Sequence, residues 1–156
     1  MIAIRPAVAG DQQALGRMGG ALMRQHHAAD PKRFLMVDDP ETGYGRFLVS
    51  QLDEPEALVL VAESSGTVVG YVFAGLEPVS WMELRGPCGF VHDVWVDDTV
   101  RGGGVGRRLV SAAIEWIQAQ GRAQVGLWTK TGNEHAQALF RSLGFRATML
   151  EMTLDR

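Results

Sequence analysis

Hydrophobic and polar positions alternate in short runs at the start and middle of the chain and return at helical spacing elsewhere. Ile2-Ala3-Ile4-Arg5 reads as a short strand that stops at Pro6. After Gly10-Asp11, the apolar residues Leu15, Met18, Leu22 and Met23 predict a helix that fades near residues 28–31. Pro40 suits the first turn of a second helix, with Phe47, Leu48 and Leu52 on one side and Asp53-Glu54-Pro55 at its end. Residues 57–63 and 68–76 are apolar, β-branched runs around the turn chemistry of Ser64-Ser65-Gly66-Thr67, which predicts an antiparallel hairpin.

A third strand of this middle region is predicted over residues 90–96, followed by a glycine-rich turn and a helix from about Gly104. That helix carries Leu109, Val110, Ala113, Ile114 and Ile117 at helical spacing, and Gly121 stands at its C-terminal cap. Residues 123–129 read as a strand. Asn133 N-caps a last helix with Ala136, Leu139, Phe140 and Leu143 inward and Gly144 closing it, and residues 145–154 read as a final strand. This order predicts an α/β (α+β) chain with a mixed, mostly antiparallel sheet and helices on its faces.

Composition narrows the class. A chain of 156 residues is expected to form one domain over 1–156, large enough to bury about 70% of its unfolded surface without disulfides or structural metal. With 15 basic and 18 acidic side chains the net charge is -3, and no basic run tracks a phosphate backbone, so nucleic acid is not an expected partner. Cys88 is the single cysteine, which excludes an internal disulfide or a multi-thiolate metal site and fits a reducing, cytoplasmic compartment. The longest apolar run, Ala57-Leu58-Val59-Leu60-Val61-Ala62, is far short of the ~20 residues of a membrane span, and the N-terminus lacks a signal core.

The segment Arg101-Gly102-Gly103-Gly104-Val105-Gly106-Arg107 carries the chemistry. Four glycines in five positions are entropically expensive and need a reason. A strand-to-helix turn of unhindered N–H groups, opening on the positive end of a helix dipole, is an anion site that a phosphate can approach closely. Arg101 and Arg107 would add charge at its rim. A P-loop would need Lys-Ser or Lys-Thr where Arg107-Arg108 stand, and neither start of G-x-G-x-x-G places its third glycine. A kinase-type glycine loop joins two strands instead.

What remains is R-x-x-G-x-G at Arg101, Gly104 and Gly106, and with it the sequence resembles the GNAT (GCN5-related N-acetyltransferase) family. Val94-Trp95-Val96 looks like the family's fourth strand, and residues 133–145 are similar to its second signature, Asn-x-x-Ala-x-x-Leu-Tyr-x-x-x-Gly-Phe. The resemblance implies a six- to seven-stranded sheet with about four helices and splayed central strands. It implies acetyl-CoA as acyl donor and direct attack by a primary amine, with no metal. Val94, Trp95 and Val96 would meet the pantetheine arm and supply N–H donors to the carbonyl. Residues 101–107, namely Arg101, Gly102, Gly103, Gly104, Val105, Gly106 and Arg107, would hold the pyrophosphate, with Asn133 and Phe140 on the second signature. A homodimer is compatible with the resemblance.

Phe140 stands where the family often has a tyrosine that protonates the departing thiolate, and phenylalanine has no proton to give. An alkyl thiol with a pKa of ~8.5 is a tolerable leaving group regardless. The same residue leaves open an alternative, a catalytically weak acyl-CoA-binding or regulatory module. Asp93 and His92 are the candidate bases, and strict alternation would send them to opposite faces of the sheet. Glu83 is an outside candidate, and the lone Cys88 has no placed base to make it a nucleophile. The acceptor side is expected to use His26, His27, Phe34 and Tyr44 from the first two helices and their connection. Trp81 and Trp128 read as pocket lining or as core and interface residues, and His26-His27 as pocket-lining or solvated rather than metal ligands, since adjacent helical residues diverge.

Overall fold

The computed structural model describes residues 1–156. Five strands, β1 (Ile2–Pro6), β2 (Ala57–Ser64), β3 (Thr67–Glu77), β4 (Cys88–Val96) and β5 (Val125–Leu127), form one sheet in sequence order. Four helices accompany them: α1 (Gln12–Ala29), α2 (Pro40–Ser50), α3 (Val105–Ala119) and α4 (Glu134–Ser142). Pairing is antiparallel from β1 to β4 and parallel between β4 and β5. The β2–β3 connection is a two-residue turn with Ser65 and Gly66 both at positive φ, the geometry that matches the twist of the flanking strands.

Both faces of the sheet are covered, which explains why β3 is apolar without interruption. Leu60, Val72, Ala74 and Val91 meet Leu109, Ala113 and Ile117 of α3 on one face. Val59, Val61, Tyr71 and Phe73 meet Leu15 and Met18 of α1 and Leu48 of α2 on the other. The two helices of that second face touch backbone to backbone. A Cβ at Gly16 would come within 2.4 Å of the Glu41 carbonyl oxygen, and one at Gly45 within 2.8 Å of the Gln12 oxygen. Small residues at these crossings let α2 sink onto α1 and carry Tyr44 toward the sheet.

Two expectations about the sheet are corrected. It has five strands, not six or seven, because residues 145–154 form none: after Phe145 no backbone group there finds a partner in the chain. Alternation of side chains is necessary for a strand, but only a neighbouring backbone completes one. The strand predicted over residues 123–129 shortens to residues 125–127, paired only at Gly89–Val125, Phe90–Gly126 and Val91–Leu127. β4 runs on to Val96 with no strand paired to that edge beyond Val91.

Candidate active site

A bulge in β4 sets the geometry. Phe73 pairs with Asp93 and Ala74 with Val91, leaving His92 as the extra residue. Strict alternation therefore fails at this point, and both side chains lie on the face toward α1 and α2. His92 stacks beside Phe73 and Phe90 at 5.0 and 5.2 Å between centroids, while Asp93 meets Tyr44 of α2 and Tyr71 of β3. The expectation of opposite faces is overturned by that one inserted residue.

Asp93 is half-buried and holds two hydroxyl donors on one oxygen. Tyr44 donates to Oδ2 at 2.8 Å and Tyr71 donates to the same atom at 3.1 Å. Oδ1 has no partner within the chain and is not sealed from solvent. Burial pushes the carboxyl above its ordinary range, against the pull of the two hydroxyls and of the nearby His92 and His26. Burial and the adjacent carboxylate together raise both tyrosines well above their usual value, so they stay protonated as donors. The result is a carboxylate oriented by two fixed hydroxyls, with its other oxygen available to take a proton.

At the far end of β4 the chain passes through a short 3-10 turn, Asp98–Val100, into the glycines. Gly102 and Gly104 have φ of +83° and +78°, and a Cβ at either would find nothing within 4 Å. The space in front of the turn is open. The amides of residues 102–107 make no backbone hydrogen bond, and Gly104 caps α3 with no side chain supplying an acceptor. Six N–H groups thus lie unpaired at and before the positive end of a 15-residue helix, an arrangement suited to a diphosphate.

The two arginines behave differently from the rim charges expected. Arg101 folds back, donating to the Val96 carbonyl at 2.9 Å, pairing with Asp98 and lying 5.3 Å over the Trp95 ring. Arg107 reaches across to Ser142 of α4. Trp95 donates to Asp97 at 3.0 Å, and Arg17 of α1 grips the same carboxylate at both oxygens, which ties α1 to the end of β4. Burial alone would raise Asp97, but the bonds from Arg17 and Trp95 outweigh it and hold the carboxyl below its usual range.

Asn133 accepts from the Ala136 amide at 3.1 Å as an N-cap. Phe140 packs edge-on against Phe145, with centroids 6.0 Å apart, and the neighbouring Leu139 faces Gly106. At the end of α1 and the connection that follows it, the Nδ1 atoms of His26 and His27 sit 2.8 Å from the carbonyl oxygens of Leu22 and Phe34, and Phe34 meets the His26 ring edge-on at 4.9 Å. Glu83 pairs with Arg85 on the β3–β4 connection, outside this cluster, and Cys88 is fully buried with its thiol pushed up by burial. Trp81 is 86% exposed and Trp128 is 73% exposed, touching Phe90. No group of three His, Cys, Asp or Glu side chains is arranged to hold a metal ion, and no helix is long and apolar enough to cross a membrane.

Sequence reasoning missed Tyr71 and the bulge. The available signal for Tyr71 was a single hydroxyl inside an otherwise apolar strand, which must find a partner when buried. The bulge leaves no mark in the residue types.

A profile described as "Acetyltransferase (GNAT) family" matches residues 22–145, and the chain belongs to that family. The N-alpha-acetyltransferase RimI of Mycobacterium tuberculosis is 35% identical over 81% of this chain and 77% of its own length. A mycothiol acetyltransferase of Thermobispora bispora is 38% identical over 77% of this chain and 42% of its own. The matched stretch spans only 37%, 30% and 42% of the first three curated relatives. Among solved structures, a tetramutant of the BH1408 protein of Bacillus halodurans superposes with a TM-score of 0.85 at 23% identity, covering 99% of each chain, a likeness of fold.

Proposed function

We propose that residues 1–156 work as one N-acetyltransferase domain, in a cytoplasmic setting, that moves an acetyl group from acetyl-CoA to a primary amine. The observation that carries this reading is Asp93: a desolvated carboxylate with a free oxygen, on the strand that loses its neighbour just before the glycine turn. Val96 lies three positions further on, about 10 Å of strand. A base and a diphosphate site therefore lie at the two ends of one open strand edge.

The turn fits coenzyme A. Unpaired amides of residues 102–107 would take the diphosphate, the missing side chains of Gly102 and Gly104 leave it room, and the edge over Val94, Trp95 and Val96 would meet the pantetheine amides once Arg101 releases the Val96 carbonyl. When bound, acetyl-CoA supplies the activated acyl thioester. Asp93 takes a proton from the incoming ammonium at Oδ1, while Tyr44 and Tyr71 hold the carboxylate in place through Oδ2. Tyr44 thus serves as a positioning residue on Asp93, in addition to bordering the acceptor side with His26, His27 and Phe34.

The acceptor side favours a cation. A cleft of about 250 Å³ beside His92 is bordered by Glu54, Glu56 and Glu77, with Phe73 in its wall. His92 lies 3.2 Å from Glu77, and acidic walls of this kind concentrate ammonium groups. The activities named for the relatives, N-alpha-acetylation and mycothiol acetylation, are both acetyl transfers.

The test is to incubate the purified chain with acetyl-CoA and a panel of α-amino peptides, diamines and amino sugars, following thiol release, with calorimetry for CoA. Release that depends on an amine supports the enzyme. Tight CoA binding without amine-dependent release across the panel supports a binding module, the reading that Phe140 favours. Absence of CoA binding ends both.

A further inference from the structure

Val96 is the last residue of β4, and its backbone faces the open edge. The Asp97 amide donates to the Val69 carbonyl of β3 at 2.8 Å, so alternation turns the N–H and C=O of Val96 to the other side, where no strand pairs past Val91. That carbonyl is nonetheless occupied, because the Nε–H of Arg101 donates to it at 2.9 Å. The same guanidinium lies 5.3 Å over the Trp95 ring and pairs with Asp98 at 2.6 Å. Arg101 thus closes back along the strand, onto an acceptor that a ligand's amide would need in order to extend the sheet.

None of these three holds is strong. The Asp98 side chain is 84% exposed, so water screens its pair with Arg101. The Val96 carbonyl is neutral, and the ring contact lies at a site open to solvent. A stronger partner would sit one residue away. Gly102 begins the run of unpaired amides, and a diphosphate seated on them would offer the guanidinium charge-assisted bonds. Arg107, at the other end of the turn, is engaged with Ser142 of α4.

We propose that Arg101 sets which thioester donors the site accepts: it latches the Val96 carbonyl in the free chain and is drawn off by a diphosphate, so the edge opens to a donor that carries one. The inference rests on the reading that coenzyme A lies along this turn and edge. A thioester of pantetheine alone has the same arm and the same acyl group but nothing to draw the latch away, and it meets a closed edge. To such a donor, a residue that only gripped phosphates would make no difference. A latch makes Arg101 an obstacle to it, and that difference in sign separates the two roles.

The test compares Arg101→Met with the parent by calorimetry on CoA and on pantetheine, and by amine acetylation from acetyl-CoA and from S-acetylpantetheine. Removing the guanidinium should weaken CoA by about three- to tenfold, yet tighten pantetheine and raise kcat/KM for S-acetylpantetheine by about tenfold. Asp98→Asn frees one hold and leaves the guanidinium in place, so it should tighten pantetheine by about two- to threefold without weakening CoA. Inorganic pyrophosphate should change the emission of Trp95, the tryptophan under Arg101, and Arg101→Met should abolish that change. Weaker CoA with pantetheine unmoved would make Arg101 a phosphate ligand alone, overturning the latch and leaving the coenzyme A reading intact. Weakening of both ligands would make it a support of the turn and overturn the latch equally. A parent chain that binds no CoA would overturn the latch together with the reading beneath it.

Discussion

The hydroxyl of Tyr44 lies 2.8 Å from Oδ2 of Asp93, joining the middle of α2 to the bulge of β4. That bond exists because of events at three levels. Small residues let α2 press against α1, the inserted His92 turns Asp93 toward the helices, and burial keeps the tyrosine protonated so that it can donate. The same bond leaves Oδ1 as the only acceptor Asp93 offers to anything entering the site.

Replacing Asp93 by Asn keeps the shape and an acceptor for the tyrosines but removes the carboxylate proposed as the base. Turnover is expected to fall by roughly 10²–10⁴ while CoA affinity stays within about twofold of the parent. Steady-state kinetics with calorimetry checks both halves. Retained turnover would remove Asp93 from the proton transfer.

The raised carboxyl of Asp93 makes two pH predictions. Activity toward the amine should fail on the acid side as Asp93 protonates, at a pH above the ordinary carboxylate range. Tyr44→Phe removes a donor to the charged form and should move that acid limb to higher pH, leaving an alkaline limb unmoved. Stability has the opposite sense. A folded-state value above the unfolded one means the folded chain holds the proton more tightly, so this group's contribution is complete below the unfolded value and is lost as pH rises through the folded one. Urea unfolding across that window should show Asp93→Asn gaining on the parent as pH rises.

Much of this was readable in the residues. Every helix and each strand from β1 to β4 falls within a few residues of where periodicity and turn chemistry place it, because both faces of the sheet are covered and each element buries its own apolar set. The glycine turn was readable because its conformational cost has few explanations. His92 and Asp93 were identified by position, but their shared face depends on a bulge, which is a property of pairing with β3. Residues 145–154 show the same limit: their pattern is that of a strand, and pairing is supplied by a neighbour. Tyr71 was hidden among valines and needed the packing of α2 to reveal its purpose.

Gly104→Val tests the turn. With φ at +78° and no atom within 4 Å of the added Cβ, the cost to folding is backbone strain alone, roughly 1–2 kcal/mol. For a chain of this size that is a Tm loss of about 2–4 °C per kcal/mol. CoA affinity should fall more than tenfold, since the side chain fills the space a phosphate would use. Gly103→Ala is the control, its Cβ meeting only the Val100 carbonyl oxygen at 3.4 Å, and should spare stability. Equal CoA affinities for Gly104→Val and the parent would disconnect the turn from the cosubstrate.

Phe140→Tyr would return a hydroxyl beside the thiolate. Because a thiol of pKa ~8.5 leaves readily near neutral pH, the gain in kcat should be less than about tenfold and confined to pH below ~8. A large gain at every pH would instead mean that thiolate protonation limits the natural chain.

Gly19 tests whether the seat of Tyr44 is what positions Asp93. A Cβ at Gly19 would lie 2.2 Å from Cδ1 of the Tyr44 ring, an overlap that α1 cannot absorb without evicting the ring and breaking its bond to Asp93. Helix propensity alone favours alanine over glycine there by about 1 kcal/mol, so the sign of the effect decides the matter. In the parent, Gly19→Ala should destabilise by roughly 1–3 kcal/mol and move the acid limb of the pH profile upward, as Tyr44→Phe does. In a Tyr44→Ala background the ring is gone, and the same substitution should stabilise. That reversal is a coupling of more than about 1 kcal/mol between two residues in contact. Additive effects across the cycle would mean that Gly19 does not set the seat of the Tyr44 ring.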